Sequence, residues 1–234
     1  MRFNFKATLI ASVAVIAATS ALAQKAGDNI VSIGMAHIST DASVGTLTHS
    51  NPALTPKLAG TTAVISSEQT TTLGWLHMYS DNIGGELTVG VPPTVTQDLT
   101  TPNTTPIGLP TSHPAAAKID IWTPTVIGKY FFGTGADKLR PYLGLGVSRV
   151  SFHNIKTDPG VSTLAGISAN LSSSWAPVYN AGLVYQLDDK WSLSGSVSYI
   201  PVSTTATFVG STGTTTGDIK LKTTDYVVKI GYRF

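Results

Sequence analysis

The sequence predicts an all-β protein, an eight-stranded antiparallel barrel. Three observations carry that reading: hydrophobic alternation of period two, connections that alternate between long and short, and a final segment that is itself a strand. The ending YVVKIGYRF shows the first and third together. Successive strand side chains point to opposite faces, so Tyr226, Val228, Ile230, Tyr232 and Phe234 form an apolar face. Asp225, Lys229 and Arg233 fall on the other face, with Val227 and Gly231. Chain ends usually fray. A terminal strand that pairs with the first one instead closes a barrel and removes both sheet edges.

Ahead of the first strand, residues 1–23 read as a cleaved secretory signal, with a basic start (Arg2, Lys6), an apolar run over about 7–18 and the small-residue ending Ala21-Leu22-Ala23. The run is shorter than the roughly 20 residues a spanning helix needs. Its removal takes Arg2 and Lys6 from the 15 basic residues and leaves 13, equal to the acidic count. Residues 24–234 then form one domain without a clustered basic face, which argues against nucleic acid as a partner. The absence of cysteine excludes a disulfide-stapled fold.

In chain order, strands are expected at 29–40, 61–79, 83–95, 118–133, 139–155, 174–187, 190–208 and 218–234. The first two are bounded by connections more than by alternation, since Leu76, His77 and Met78 do not sort into faces. The third meets Pro92-Pro93, which should end it, and the fourth contains Pro124, a residue that cannot donate to a ladder. In the fifth, Leu139, Pro141, Leu143, Leu145 and Val147 alternate with Arg140, Tyr142, Gly144, Gly146 and Ser148; near Ser148-Arg149 Val150 and Phe152 take over the face that held the glycines, which predicts either a bulge there or a strand that has left the lipid. In the sixth, Tyr179, Ala181, Leu183, Tyr185 and Leu187 oppose Asn180, Gly182, Val184 and Gln186. The seventh, WSLSGSVSY, puts four serines on one face against Trp191, Leu193, Gly195, Val197 and Tyr199.

Turn-forming residues fill the short connections at Ser80-Asp81-Asn82, Gly133–Asp137 and Asp188-Asp189-Lys190. Long polar connections fall at about 41–60, 96–117, 156–173 and 209–217. An even strand number, tight turns on the side of both termini and long loops on the other are the requirements of an outer-membrane barrel, with short periplasmic turns and long external loops. The apolar sets then face lipid. The 139–155 strand would extend about 55 Å where a spanning strand needs only about 9–11 residues, so the barrel should project beyond the bilayer.

An eight-stranded barrel is filled by its own side chains, which disfavours a wide aqueous channel. Glu86, Lys129, Arg140, Asp225, Lys229 and Arg233 are predicted to point inward, where paired charges would plug the periplasmic half. The histidines His37, His49, His77, His113 and His153 show no metal-ligand spacing, and there is no nucleophile elbow, so neither cofactor nor enzyme is expected. A lipid-modifying barrel would need Ser, His and an acid in hydrogen-bond reach at the outer rim, where Ser151, His153 and His37 are the residues available.

Several stretches, SDNIGGEL at 80–87, KYFFG and KLRPYLGLGV within 129–147, SSWAPVYNAGLVYQLDDKWSLSGSVSY at 173–199 and the final GYRF, resemble the OmpW family of small outer-membrane proteins, with its AlkL-like relatives. The resemblance implies a narrow, partly apolar lumen that lets small hydrophobic molecules pass, with lateral exit as one route. It also implies that Tyr232 and Phe234 form the terminal aromatic signal read by the barrel assembly machinery. Partners would then be outer-membrane lipids, that machinery and small hydrophobic molecules. The alternative is a structural or surface-interaction barrel whose Thr- and Pro-rich loops, at 41–60 and 96–117, meet other molecules.

Overall fold

The computed structural model describes residues 24–102, 111–158 and 168–234, so the expected signal lies outside the described residues. Among the described residues twelve strands appear: β1 (Asn29–His49), β2 (Thr62–Ile65), β3 (Glu68–Met78), β4 (Ile83–Gly90), β5 (Thr94–Thr100), β6 (Ser112–Trp122), β7 (Thr125–Phe131), β8 (Leu139–Thr157), β9 (Ser168–Leu171), β10 (Ser174–Gln186), β11 (Trp191–Gly210) and β12 (Gly213–Arg233). They make eight staves, because β2 leads into β3, β4 into β5, β6 into β7 and β9 into β10 with two or three residues between. Proline accounts for two of the interruptions, Pro92-Pro93 and Pro124, where a ladder donor is missing.

The lower half is a closed ring in the order β1-β3-β4-β7-β8-β10-β11-β12, with β12 returning to β1. The final residue takes part in closure: the Phe234 N–H donates to the Asn29 carbonyl at 3.0 Å. A row of paired residues that leaves Glu68 and passes Ile38, Asp225, Ser198, Asn180, Gly144, Lys129 and Gly84 returns to the same stave at Met78, ten residues further on. That stagger on eight staves tilts them by about 40° to the axis.

Alternation sorts as the sequence indicates. Leu143 and Leu145 are 56% and 68% exposed while Tyr142 between its neighbours is 3% exposed, the signature of an outward apolar band around an inward-facing wall. The serine face of β11 lines the lumen, with Ser192 and Ser198 buried. Leu76 and Met78 also point inward, because the bottom of the lumen is itself apolar, packed from Ile30, Leu76, Met78, Phe131, Tyr142 and Val184. His77 faces outward and meets Asn29 Oδ1 at 3.0 Å.

Above the ring the wall divides. Past Ile38, β1 pairs only with β12; past Val150, β8 pairs only with β6. The projecting part is therefore two sheets, β1-β12-β11-β9 and β8-β6-β5-β2. Three expectations are corrected here. Residues 41–49 and 213–217 are not loop: β1 and β12 stay paired up to His49↔Thr215, and the last external connection is a tight turn closed by Gly210↔Gly213, with Gly213 at φ 137°. These segments are Thr- and Ser-rich because neither face there meets lipid. No bulge occurs at Ser148-Arg149, since the β8–β10 register runs unbroken from Leu139 to Val150. Val150 and Phe152 lie on the same face as Gly144 and Gly146, and what changes is the lumen they look into. The register irregularity lies higher, between Lys118 and Asp120, near Asn154 at φ 49°. Pro92-Pro93 interrupts its stave without ending it, and the chain resumes as β5.

The periplasmic turns are held by carboxylates. Asp188 accepts the Lys190 and Trp191 N–H groups, both at 2.8 Å, and those two bonds hold its pKa below the usual carboxylate value. A lowered folded-state pKa means stability present above the ordinary value and lost as pH falls through the lowered one. Protection factors of the Trp191 and Lys190 amides are expected to drop only below about pH 4, and the drop should be absent in Asp188→Asn.

Candidate functional site

The six inward charges do not form one cluster. Glu86 on β4 sits between two lysines: it pairs with Lys129 of β7, and with Lys229 of β12 at 2.7 Å. Lys229 Nζ also donates to Thr88 Oγ1 at 3.0 Å, and Lys129 lies 4.3 Å from the Tyr142 ring centroid. All three charges are buried, which satisfies the rule that a charge leaves water only with a partner. Gly74 makes room for them, since a Cβ there would lie 2.7 Å from Glu86 Oε1 and 3.2 Å from Lys229 Nζ.

Arg140 and Arg233 belong to the periplasmic rim instead. Arg140, 1% exposed, donates to the carbonyls of Gln24 at 3.0 Å, Asp81 at 2.7 Å and Phe132 at 3.3 Å, and lies over the Phe131 ring. It ties the segment before β1 at Gln24 to the β3–β4 turn and to the end of β7. Arg140→Met is expected to lower barrel stability by about 3 kcal/mol, because the buried Gln24 carbonyl and the half-buried Asp81 and Phe132 carbonyls lose a charged donor together; urea unfolding in lipid vesicles measures this. Arg233 pairs with Asp28 at 3.0 Å and donates to the Asp189 carbonyl. Tyr232 stacks edge-on with Trp191 at 5.0 Å, and Phe234 is exposed.

Asp225 stands apart from all of these. It forms no ion pair among the described residues, and its Oδ1 has no hydrogen-bond partner. Charge sign and inward parity are readable from a sequence, but which charges meet depends on the ten-residue stagger, which no local pattern reveals.

Over the charged block the lumen turns apolar. Ile127, Val150, Ala176, Val178, Ile200, Val202 and Leu221 form a continuous cluster. Higher still is a small apolar chamber of about 60 Å3 walled by Val44, Leu47, Leu58, Leu99, Phe208 and Ile219. Leu58, buried at the end of the short 3-10 turn Thr55–Leu58, forms part of its wall.

The barrel wall has a break beside this apolar column. The β4–β7 ladder ends at Thr88↔Thr125 and the β5–β6 ladder resumes at Thr94↔Asp120. Between them Val91, Pro93 and Thr123 line the lumen, and Val91 is 63% exposed. Across the gap, the Ile121 N–H donates to the Pro93 carbonyl at 3.1 Å, while the Val91 N–H is held on the other side by the Thr71 carbonyl of β3 at 2.9 Å.

At the outer rim, Ser151 Oγ and His153 Nε2 are 3.3 Å apart, and Asp120 faces His153 across the register. Asp120 accepts from Thr94 through Oδ1 and from Asn154 through Oδ2, so it does not orient the imidazole, and no serine–histidine–carboxylate chain is formed. His37 lies against Tyr226 with ring centroids 6.4 Å apart. No group of three metal-ligating side chains occurs among the described residues.

A closed ring of eight antiparallel strands with an outward apolar band and a filled base defines the class: an outer-membrane β-barrel of a Gram-negative bacterium. Within that class the chain belongs to the OmpW family, whose profile matches residues 25–234. Outer membrane protein W of Vibrio cholerae serotype O1 is 28% identical over 231 residues, 96% of this chain and 98% of that one. Outer membrane protein AlkL of Ectopseudomonas oleovorans is 32% identical over 108 residues, 46% of this chain and 44% of that one. Among solved structures, the outer membrane protein OprG from Pseudomonas aeruginosa superposes with a TM-score of 0.79 at 26% identity, covering 92% of this chain and 99% of that one. The relatives named here are barrel proteins of the outer membrane and none carries an enzyme's name.

Proposed function

We propose that the barrel admits small hydrophobic molecules passively from the cell exterior into the apolar chamber and releases them sideways into the membrane. The observation that supports this reading is the interruption of the wall ladder at Val91–Pro93 and Thr123-Pro124, whose residues line the same cavity as the buried Glu86, Lys129 and Lys229. A molecule descending the chamber meets a charged floor that it cannot desolvate, and an apolar solute leaves by the nearest apolar surface. The upper apolar cluster makes the path down to the break favourable for such a solute and unfavourable for ions.

The three charges then act as a plug rather than as a filter, because Glu86 bonds to both lysines at once and ties their side chains together across the lumen. Tyr232 and Phe234, at the ladder end that closes the ring, serve the assembly machinery as its recognition signal on the same reading. The test is uptake of a radiolabelled small hydrocarbon by cells with and without this protein. Faster uptake with the barrel supports the proposal. Equal uptake, with the folded barrel confirmed in the membrane, rejects it in favour of a barrel that meets other molecules through its external face.

A further inference from the structure

We propose that Asp225 and Asn180 form an acceptor site for the ammonium head of an amphipathic amine, with the apolar tail lying in the shaft above. Both residues are inward, on the two staves that flank β11, and both are paired with Ser198, Asn180 through the β10–β11 ladder and Asp225 through the β11–β12 ladder. Asn180 is 6% exposed; its Nδ2 donates to Ser198 Oγ at 2.9 Å and to the Val197 carbonyl at 3.3 Å, which leaves Oδ1 without a donor. Asp225 Oδ1 is likewise buried and unpartnered, while Thr223 donates a hydrogen bond to the same carboxylate.

Two acceptors without donors therefore line one cavity. Buried acceptors left unpaired are unfavourable, and a carboxylate without a counter-ion more so. The nearby charges do not relieve it. Lys229, on the same face of β12, is held by Glu86 and Thr88. Glu68, at the end of the row through Ile38, is itself acidic and accepts from Ser66 Oγ at 2.6 Å. A guest carrying N–H donors and a positive charge supplies what both oxygens lack.

The surroundings specify the rest of the guest. Asp225 lines the polar cavity below and also the shaft walled by Val95, Ile121, Val150, Ile200, Val202 and Leu221. Pro93, at the wall break, lines both as well, so the site lies level with the proposed exit. A linear alkylammonium fits this division, with its head at Asp225 and its chain along the apolar wall. The inference rests on the transport reading only for how the guest arrives.

Binding is to be measured by calorimetry on the full barrel in a neutral detergent, with hexylammonium, hexyltrimethylammonium and hexanol as probes. Hexylammonium should bind about tenfold more tightly than hexanol, the margin expected from a charge-assisted hydrogen bond. Asp225→Asn should abolish that preference and Asp225→Glu should keep it, with heat-modifiable gel mobility reporting the fold of each. Hexyltrimethylammonium, which has no N–H, should bind more weakly than hexylammonium. Equal binding of hexanol and hexylammonium, or a preference unchanged in Asp225→Asn, overturns the inference. Flux of hexanol into vesicles is read separately: its absence rejects the transport reading while the calorimetry still decides the site.

Discussion

Glu86→Gln should be the most damaging single substitution in the lumen, lowering stability by about 3–5 kcal/mol, the range for breaking a buried ion pair by removing one partner. The carboxylate holds two ammonium groups, so its loss leaves both Lys129 and Lys229 buried with the same charge and no anion between them. The neutral amide keeps the shape and one acceptor, which isolates the electrostatic part of the effect. Urea unfolding in lipid vesicles gives the magnitude. The triple variant Glu86→Leu, Lys129→Met, Lys229→Met should recover most of the loss, because a neutral packed floor has no charge to desolvate. A decrease under about 1 kcal/mol for the single variant, the scale of an ordinary hydrogen bond, would mean that the block is hydrated and does not seal the barrel.

Restoring the ladder across the wall break should remove uptake while leaving the barrel intact. In Pro92→Val, Pro93→Thr, Pro124→Val the three missing N–H donors return, and the β4–β7 ladder can continue into β5–β6. Hydrocarbon uptake is then expected to fall to that of cells without the protein. Hydrogen exchange at residues 91–93 and 123–124 reports whether the seam has closed. Closed amides with undiminished uptake would place the exit elsewhere, and the projecting seam between β1 and β2 would be the next site to seal.

The staves and turns were legible in the sequence because lipid on one side and a filled lumen on the other enforce period-two alternation, as in Leu139–Val147 against Arg140–Ser148. Above the bilayer that asymmetry ends. Asp41–His49 and Gly213–Gly217 carry no sustained apolar alternation although they are paired strands, and they read as loops. Leu76 and Met78 misled for a related reason, since the lumen is apolar at its base, polar at Glu86 and apolar again at Val150. Inward parity was readable for Glu86, Lys129 and Lys229. Their convergence, the departure of Arg140 and Arg233 to the rim, and the isolation of Asp225 follow from the stagger between staves, which alternation within a strand does not encode.

The unbroken pairing of β11 with β12, from Trp191↔Tyr232 to Gly210↔Gly213, also bears on the order in which the molecule forms. Its turn joins residues adjacent in the chain, so zipping from Gly210 requires almost no loop closure, whereas β1 meets β12 only when Asn29 reaches the far end of the polypeptide. The hairpin is the cheapest contact to register and the seam at Phe234 the dearest in entropy. A nascent chain therefore carries a finished edge, β12, waiting for its first strand, and the tall external ribbon doubles as the template on which the ring is completed.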